Sequence, residues 1–298
     1  MFTIGADPEF FIAKSGVVIP AHGAVPGTKE EPHKVEDGAI QVDGLALEVN
    51  IEPVPLSGNP SNAVLFSNRV AKVVAIAKAK AEETVGRVSV FTGSYNDFGK
   101  EVIDALPETA KELGCDPDWN AYTLKPNERP DGDVTYRVVG GHIHIGWDRD
   151  QPVDDPDYIA ICANLVKVLD CFVGIPMKII DGEERRRQMY GKAGAFRPKP
   201  YGVEYRSPSN FWITSASRRK AVYEMVNAAV QKLSYYGGDA ERTVAAYSGK
   251  TCEEIREIID DPDGRLVAAS LYQRSLVYNS NAMDGCVRSA VASMKKAA

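Results

Sequence analysis

Paired cysteines are missing from this chain. Its five, Cys115, Cys162, Cys171, Cys252 and Cys286, are odd in number and scattered, and none forms a Cys-x-x-Cys pair. That excludes a zinc ribbon and a disulfide framework, and it fits free thiols in a reducing cytoplasm. Positive charge is in deficit. With 35 Lys and Arg against 41 Asp and Glu the net charge is −6, which argues against a general nucleic-acid or membrane-surface binder. The first residues, MFTIGADPEFFIAK, lack a charged region leading into a long apolar run, so no signal peptide is expected. Long apolar runs are also scarce. The best, 159–180, is broken by Lys167, Asp170 and Lys178 and reads as a buried helix rather than a membrane span. No internal repeat or low-complexity linker marks a boundary, and 44% hydrophobic content over 298 residues can bury a full core. One domain over 1–298 is expected.

Against that acidic background stands a basic stretch at 185–212, RRRQMYGKAGAFRPKPYGVEYRSPSNFW. It gathers Arg185, Arg186, Arg187, Arg197, Arg206, Lys192 and Lys199 around one carboxylate, Glu204. The segment 201–206 alternates as a strand does, which puts Glu204 and Arg206 on one face and Val203 and Tyr205 on the other. A carboxylate beside guanidiniums suits a metal-bound polyphosphate, the acid holding the cation and the arginines taking phosphate oxygens. The plain alternative is a solvated basic helix followed by an edge strand.

Earlier in the chain, 2–4 is a short strand running into Asp7-Pro8-Glu9. Pro8 cannot donate to a ladder, so a bulge or an edge is expected there, aiming Asp7 and Glu9 at a metal or leaving them as surface acids of a turn. Residues 17–20 make its hairpin partner, and 21–38 read as a loop. Asp43-Gly44 signals a hairpin inside 39–53, whose second strand sets Glu48, Asn50 and Glu52 on one face. A long amphipathic helix follows over 61–84, capped by Ser61 or Asn62. The glycines at 93–99 fail as a phosphate-binding loop, because the spacer is one residue too long and Glu101 stands where a Ser or Thr would hold magnesium. Residues 102–133 look irregular and inserted. The strand at 137–147 then carries two of the four histidines, His142 and His144, on one face. They read either as metal or phosphate contacts, with Gly140, Gly141 and Gly146 clearing space, or as core histidines. Asp155-Pro156 opens a helix to about 173, and 215–236, 240–248, 252–260 and 264–281 are predicted helices.

Taken in series, Gly5-Ala6-Asp7-Pro8-Glu9-Phe10, Asp43-Gly44 with Glu48 and Asn50, Gly141-His142-Ile143-His144-Ile145-Gly146, Tyr190-Gly191-Lys192-Ala193-Gly194 with Arg197, and Gly202-Val203-Glu204-Tyr205-Arg206 resemble the phage-type carboxylate–amine ligases called amidoligases. That family looks like a branch of the glutamine synthetase and glutamate–cysteine ligase superfamily. The resemblance implies an α+β fold, a curved antiparallel sheet with helices on its convex face and ATP and Mg²⁺ or Mn²⁺ in the concave one. It implies metal ligands at Glu9, Glu48, Glu204 and one of His142 and His144, and phosphate contacts from Arg206 and Arg197. Arg187 and Lys192 would support the nucleotide phosphates, together with His144. Asp7-Pro8-Glu9 departs from the Glu-x-Glu of glutamine synthetases, and only Glu52 offers itself for a further metal set.

The implied activity is ATP-dependent joining of a small-molecule or peptide carboxylate to an amine through an acyl phosphate, in the cytoplasm of the host. Two rivals are a metal-dependent amide hydrolase using the histidine strand with Glu204, and a non-catalytic nucleotide-binding component of a phage particle.

Overall fold

A computed structural model describes residues 1–111, 118–127, 134–148, 150–182, 184–274 and 281–297. Cys115 and parts of the expected insertion, 112–117 and 128–133, lie outside the described residues. The strands are β1 (Thr3–Lys14), β2 (Val17–Ile19), β3 (His33–Val35), β4 (Gly38–Asp43), β5 (Ala46–Pro55), β6 (Ser89–Phe91), β7 (Tyr95–Asp97), β8 (Trp119–Asn120), β9 (Lys125–Pro126), β10 (Tyr136–Val138), β11 (Gly141–Gly146), β12 (Ala195–Lys199) and β13 (Gly202–Tyr205). The helices are α1 (Pro60–Val85), α2 (Lys100–Asp104), α3 (Glu108–Lys111), α4 (Pro156–Leu169), α5 (Ile175–Asp181), α6 (Glu184–Met189), α7 (Ala216–Tyr235), α8 (Ala240–Ser248), α9 (Cys252–Asp260), α10 (Arg265–Arg274) and α11 (Asn281–Ala297).

Eleven strands form one sheet in the order β3-β4-β5-β1-β11-β13-β12-β8-β9, with β2 and β6 also pairing with β1. Its pairings are antiparallel. The strands alternate in step. Ile4, Phe10, Leu47, Val49, Ile143, Ile145, Phe196, Val203 and Tyr205 join one core with Phe66 and Val70 of α1, Val166 and Leu169 of α4 and Val222 of α7. Residues between them in sequence project to the opposite face, because side chains on a strand alternate sides. The basic stretch thus supplies two interior strands, and the solvated-helix alternative does not hold: Arg186 and Arg187 on α6 are buried.

Several local expectations shift. The register break on β1 falls between Ile4 and Ala6, while Pro8 sits in a gap of the β5 ladder between the pairs Ala6↔Ile51 and Glu9↔Glu48. A proline lacks the N–H that the ladder would use there. The cap of α1 is Asn59, which accepts from the Ser61 amide, one residue before Pro60 at the first helical position. The helix from Pro156 does not stop near 173 but runs through a π-turn (Asp170–Gly174) into α5. It is long and apolar enough to cross a membrane, yet 78% of its apolar window is buried inside the protein. Within 102–133, expected to be irregular, β8 and β9 extend the sheet beyond β12. Cys162, Cys171 and Cys252 are buried free thiols and Cys286 is a half-buried one.

Candidate active site

The polar face of the sheet reads across its strands as a row. Gln41 pairs with Glu48, Glu48 with Glu9, Asp7 with His142, His144 with Glu204, and Glu204 with Arg197. Register therefore builds the site, since one slip would turn this whole set into the core. Acids gather toward β5 and bases toward β12, with the two histidines between them.

At the acidic end, carboxylate oxygens of Glu9, Asp43 and Glu48 all lie within 4.8 Å of one another. Gln41 Nε2 donates to Glu48 Oε2 at 3.0 Å, and the Gly140 amide donates to Glu9 Oε2 at 2.8 Å. Two amide donors do not balance three acids. Burial, and then Asp43, push Glu9 up to about 8, although Arg206 and the Gly140 amide pull the other way. Burial, and then Asp7 and Glu9, likewise raise Glu48 well above the carboxylate range. A bound cation would remove that conflict.

In the middle, His142 Nδ1 faces three carboxylates: Asp7 Oδ1 at 3.5 Å, Glu204 Oε1 at 3.6 Å and Glu9 Oε1 at 3.9 Å. Its Nε2 lies over Gly140, where an added Cβ would stand 2.0 Å from that nitrogen. Glycine is required at 140 for the ring to fit. Burial, then the nearby Arg206, lower His142 to about 4, so the imidazole is neutral at physiological pH and free to act as a ligand. Among the described residues, no hydrogen-bond partner reaches His142 Nε2. Asp7, half-buried and faced by both histidines, is held well below its usual range because their pull outweighs the cost of desolvation. Asp7, His142 and Glu204 form a second group whose ligand atoms lie within 4.8 Å. Hard oxygen donors with an imidazole suit a divalent ion such as Mg²⁺ or Mn²⁺, so either group could hold one. His144 Nε2 lies 2.9 Å from Asp7 Oδ1, and its Nδ1 meets the Tyr201 hydroxyl.

At the basic end, Glu204 is fully buried. Lys199 Nζ at 2.8 Å and Arg197 Nη1 at 3.4 Å reach its Oε2, and Arg206 Nη1 reaches its Oε1. Three cations close over one acid. Arg206 is also buried, with Nε 3.6 Å from Asp118 Oδ2 and its guanidinium 5.1 Å from the Tyr190 ring centroid. Tyr190 meets His142 edge-on at 6.0 Å.

The structure thus brings Glu9, Glu48, His142, His144, Arg197, Glu204 and Arg206 onto one face. Lys192 is exposed on the glycine turn before β12. Arg187 is engaged elsewhere: its Nη2 pairs with Asp181 Oδ1 at 2.6 Å and lies 3.5 Å from Glu184. Glu52 is exposed near Arg69, 3.8 Å away, and it is Asp43 that stands with Glu9 and Glu48. The sequence reading used Asp43 only as a hairpin signal. Lys199 was in view without a role of its own and Asp7 as an acid that either meets a metal or lies on a surface turn, and alternation on their strands could have assigned both. Asp118 carried no local signal.

Beside His144 the face opens into a cleft of about 750 Å³, lined by Gly5, Asn50, His144, Gly146, Trp147 and Tyr201 among others.

Residues 133–277 match the family model described as Phage phiEco32-like COOH.NH2 ligase-type 2. The matched span carries His142, His144, Arg197, Glu204 and Arg206 and leaves Asp7, Glu9, Asp43 and Glu48 to the strands before it. No curated protein matches the chain. Over the span that supplies the histidine strand and the Glu-x-Arg strand, this chain is similar to the phage phiEco32-like COOH.NH2 ligases of type 2, which supports the amidoligase resemblance.

Proposed function

We propose that the protein uses ATP to join a carboxylate to an amine, through an acyl phosphate, in the cytoplasm of the host cell. The observation that carries this reading is the juxtaposition on adjacent strands of a neutral imidazole ringed by carboxylates and an Arg–Lys–Arg group gathered on Glu204. A carboxylate resists attack by an amine until one oxygen becomes a leaving group. Transfer of the terminal phosphate of ATP supplies that group, and catalysis of such a transfer is mostly positioning and charge neutralisation.

Glu9, Glu48, Glu204 and His142, joined by Asp7 and Asp43, would hold Mg²⁺ or Mn²⁺ in two neighbouring positions. When bound, such a cation neutralises charge on phosphate oxygens and orients them. Arg206 and Arg197, helped by Lys199, exchange their hold on Glu204 for the transferring phosphate. Their planar forks match phosphate oxygens two at a time. Lys192, exposed on its glycine turn, reaches the remaining nucleotide phosphates. Arg187 could join it only by leaving Asp181, so its support for the nucleotide is indirect, through the helix it anchors. The cleft beside His144, with Trp147 and Tyr201 as walls, suits the nucleoside. Small-molecule or peptide acids and amines then meet at the acidic end. The arrangement fits a glutamine synthetase-like catalytic sheet, curved around this face.

A hydrolytic metal centre would also use His142 with Glu204, but it has no task for three cations on one carboxylate. Calorimetric titration with a non-hydrolysable ATP analogue and Mn²⁺ tests the reading. Binding that requires the metal, and that is lost in Glu204→Gln and weakened about tenfold or more in His142→Asn, is expected. Metal-independent binding, or unchanged affinity in a folded Glu204→Gln protein, would remove its basis.

A further inference from the structure

Behind the site, on the core side of β13, sits an acid that the proposed chemistry does not use. Asp170 opens the π-turn between α4 and α5 and is fully buried. A carboxylate there costs more than an aliphatic side chain unless its lone pairs are filled. They are filled. Tyr205 Oη donates to Oδ1 at 2.7 Å and Tyr122 Oη to Oδ2 at 2.9 Å. The Gly194 amide adds a further hydrogen bond. Ser207 Oγ lies 3.4 Å from Oδ1 and 2.8 Å from Lys192 O, and shares its one proton between them. Gly174, one turn on, leaves room for this knot: a Cβ there would stand 3.0 Å from Tyr205 Oη and 3.4 Å from Asp170 Oδ1.

The partners of Asp170 share one neighbour. Tyr205 and Ser207 flank Arg206 in the chain. Tyr122 belongs to the segment that also brings Asp118 to Arg206 Nε. Gly194 directly precedes Ala195, whose carbonyl accepts from the Arg206 amide at 2.9 Å. We infer that Asp170 is a positioning residue for Arg206, fixing its guanidinium from behind the sheet through both chain neighbours and through the Tyr122 segment. The inference rests on the ligase reading only for why Arg206 must be fixed. An isosteric amide serves less well, because Asn keeps one acceptor oxygen where Asp170 offers two, so one tyrosine hydroxyl loses its acceptor.

Two measurements on Asp170→Asn test this. Hydrogen exchange of the segment 202–208 should accelerate, with α1 and α7 unchanged. Single-turnover ADP formation should fall about tenfold or more, with KM for ATP held within about twofold, since a transition-state contact is lost. In an Arg206→Ala background the same change should cost less than about twofold, because residues that act through one group are non-additive. Penalties that multiply, a loss carried by KM, or unaltered exchange at 202–208 would each overturn the inference. Should Asp170→Asn not fold, Tyr205→Phe and Tyr122→Phe each remove one arm and are read the same way. A wild-type protein that forms no ADP would defeat the ligase reading, and the exchange result would then decide the tether alone.

Discussion

His142 shows how burial converts a common side chain into a specialised one. Outside a fold its imidazole takes a proton near pH 6.5, whereas in the folded site it stays neutral down to about 4. Its folded value is the lower one, so its contribution to stability is present above about pH 6.5. That contribution is lost as pH falls through the window to 4, because only the unfolded chain binds the proton there. The full span is worth about 3 kcal/mol at the usual 1.36 kcal/mol per unit. Glu9 and Glu48 titrate with the opposite sign, so the test must be differential. In denaturant titrations with excess EDTA, the stability gap between wild type and His142→Asn should shrink by about 2–3 kcal/mol from pH 7 to pH 4.5. A gap that stays constant would mean that the ring is not held neutral. At this scale the sequence was legible where strand alternation applied: Glu9, Glu48, His142, Glu204 and Arg206 reach one face because period two put them there. It could not show that Asp43 completes the acidic group, since a hairpin signal hides a side chain's other use.

Secondary-structure elements were easier to read than the knots between them. Arg186 is the clearest case. Read from sequence as one of several arginines of a basic stretch, it is fully buried, donating from Nε to Val139 O at 2.8 Å, from Nη1 to Ser207 O at 2.7 Å and from Nη2 to Arg206 O at 3.1 Å. It ties α6 to the entry of β11 and the exit of β13, and burial, then Arg187, lower its affinity for its proton. Gly191 makes room for it. Its φ of +81° suits glycine, and a Cβ there would stand 2.1 Å from Arg186 Nη1. Gly191→Ala should therefore destabilise the protein by about 2 kcal/mol or more, from the strained backbone and the displaced guanidinium together. Thermal denaturation checks this, and a melting temperature matching wild type would show that α6 can shift without cost. The strands β8 and β9 escaped the sequence reading for a simpler reason. Two-residue strands show no period, and their pairing, β8 on the edge of β12 and β9 on β8, is set by tertiary contacts.

At the scale of the whole molecule, one hydrophobic core runs from Ile4 to Val291 and joins the sheet to α1, α4, α7 and α11. The class of fold was implied by the family resemblance, and the alternating strands early in the chain and amphipathic helices late in it agree with it. The order of strands did not, because it is fixed by long-range pairs such as β1 with β11 and β11 with β13. That order sets the acidic group beside the basic one, and in the proposed function the two cooperate in activating a carboxylate. Oxygen transfer tests it most directly. A carboxylate labelled with ¹⁸O, incubated with ATP, Mg²⁺ and an amine that the protein accepts, should pass one labelled oxygen to inorganic phosphate for every amide formed. Arg206→Lys should slow that transfer by about a hundredfold or more, since the ammonium keeps the charge but loses the fork. Amide formed with unlabelled phosphate, or label transferred as fast by Arg206→Lys as by wild type, would contradict the account.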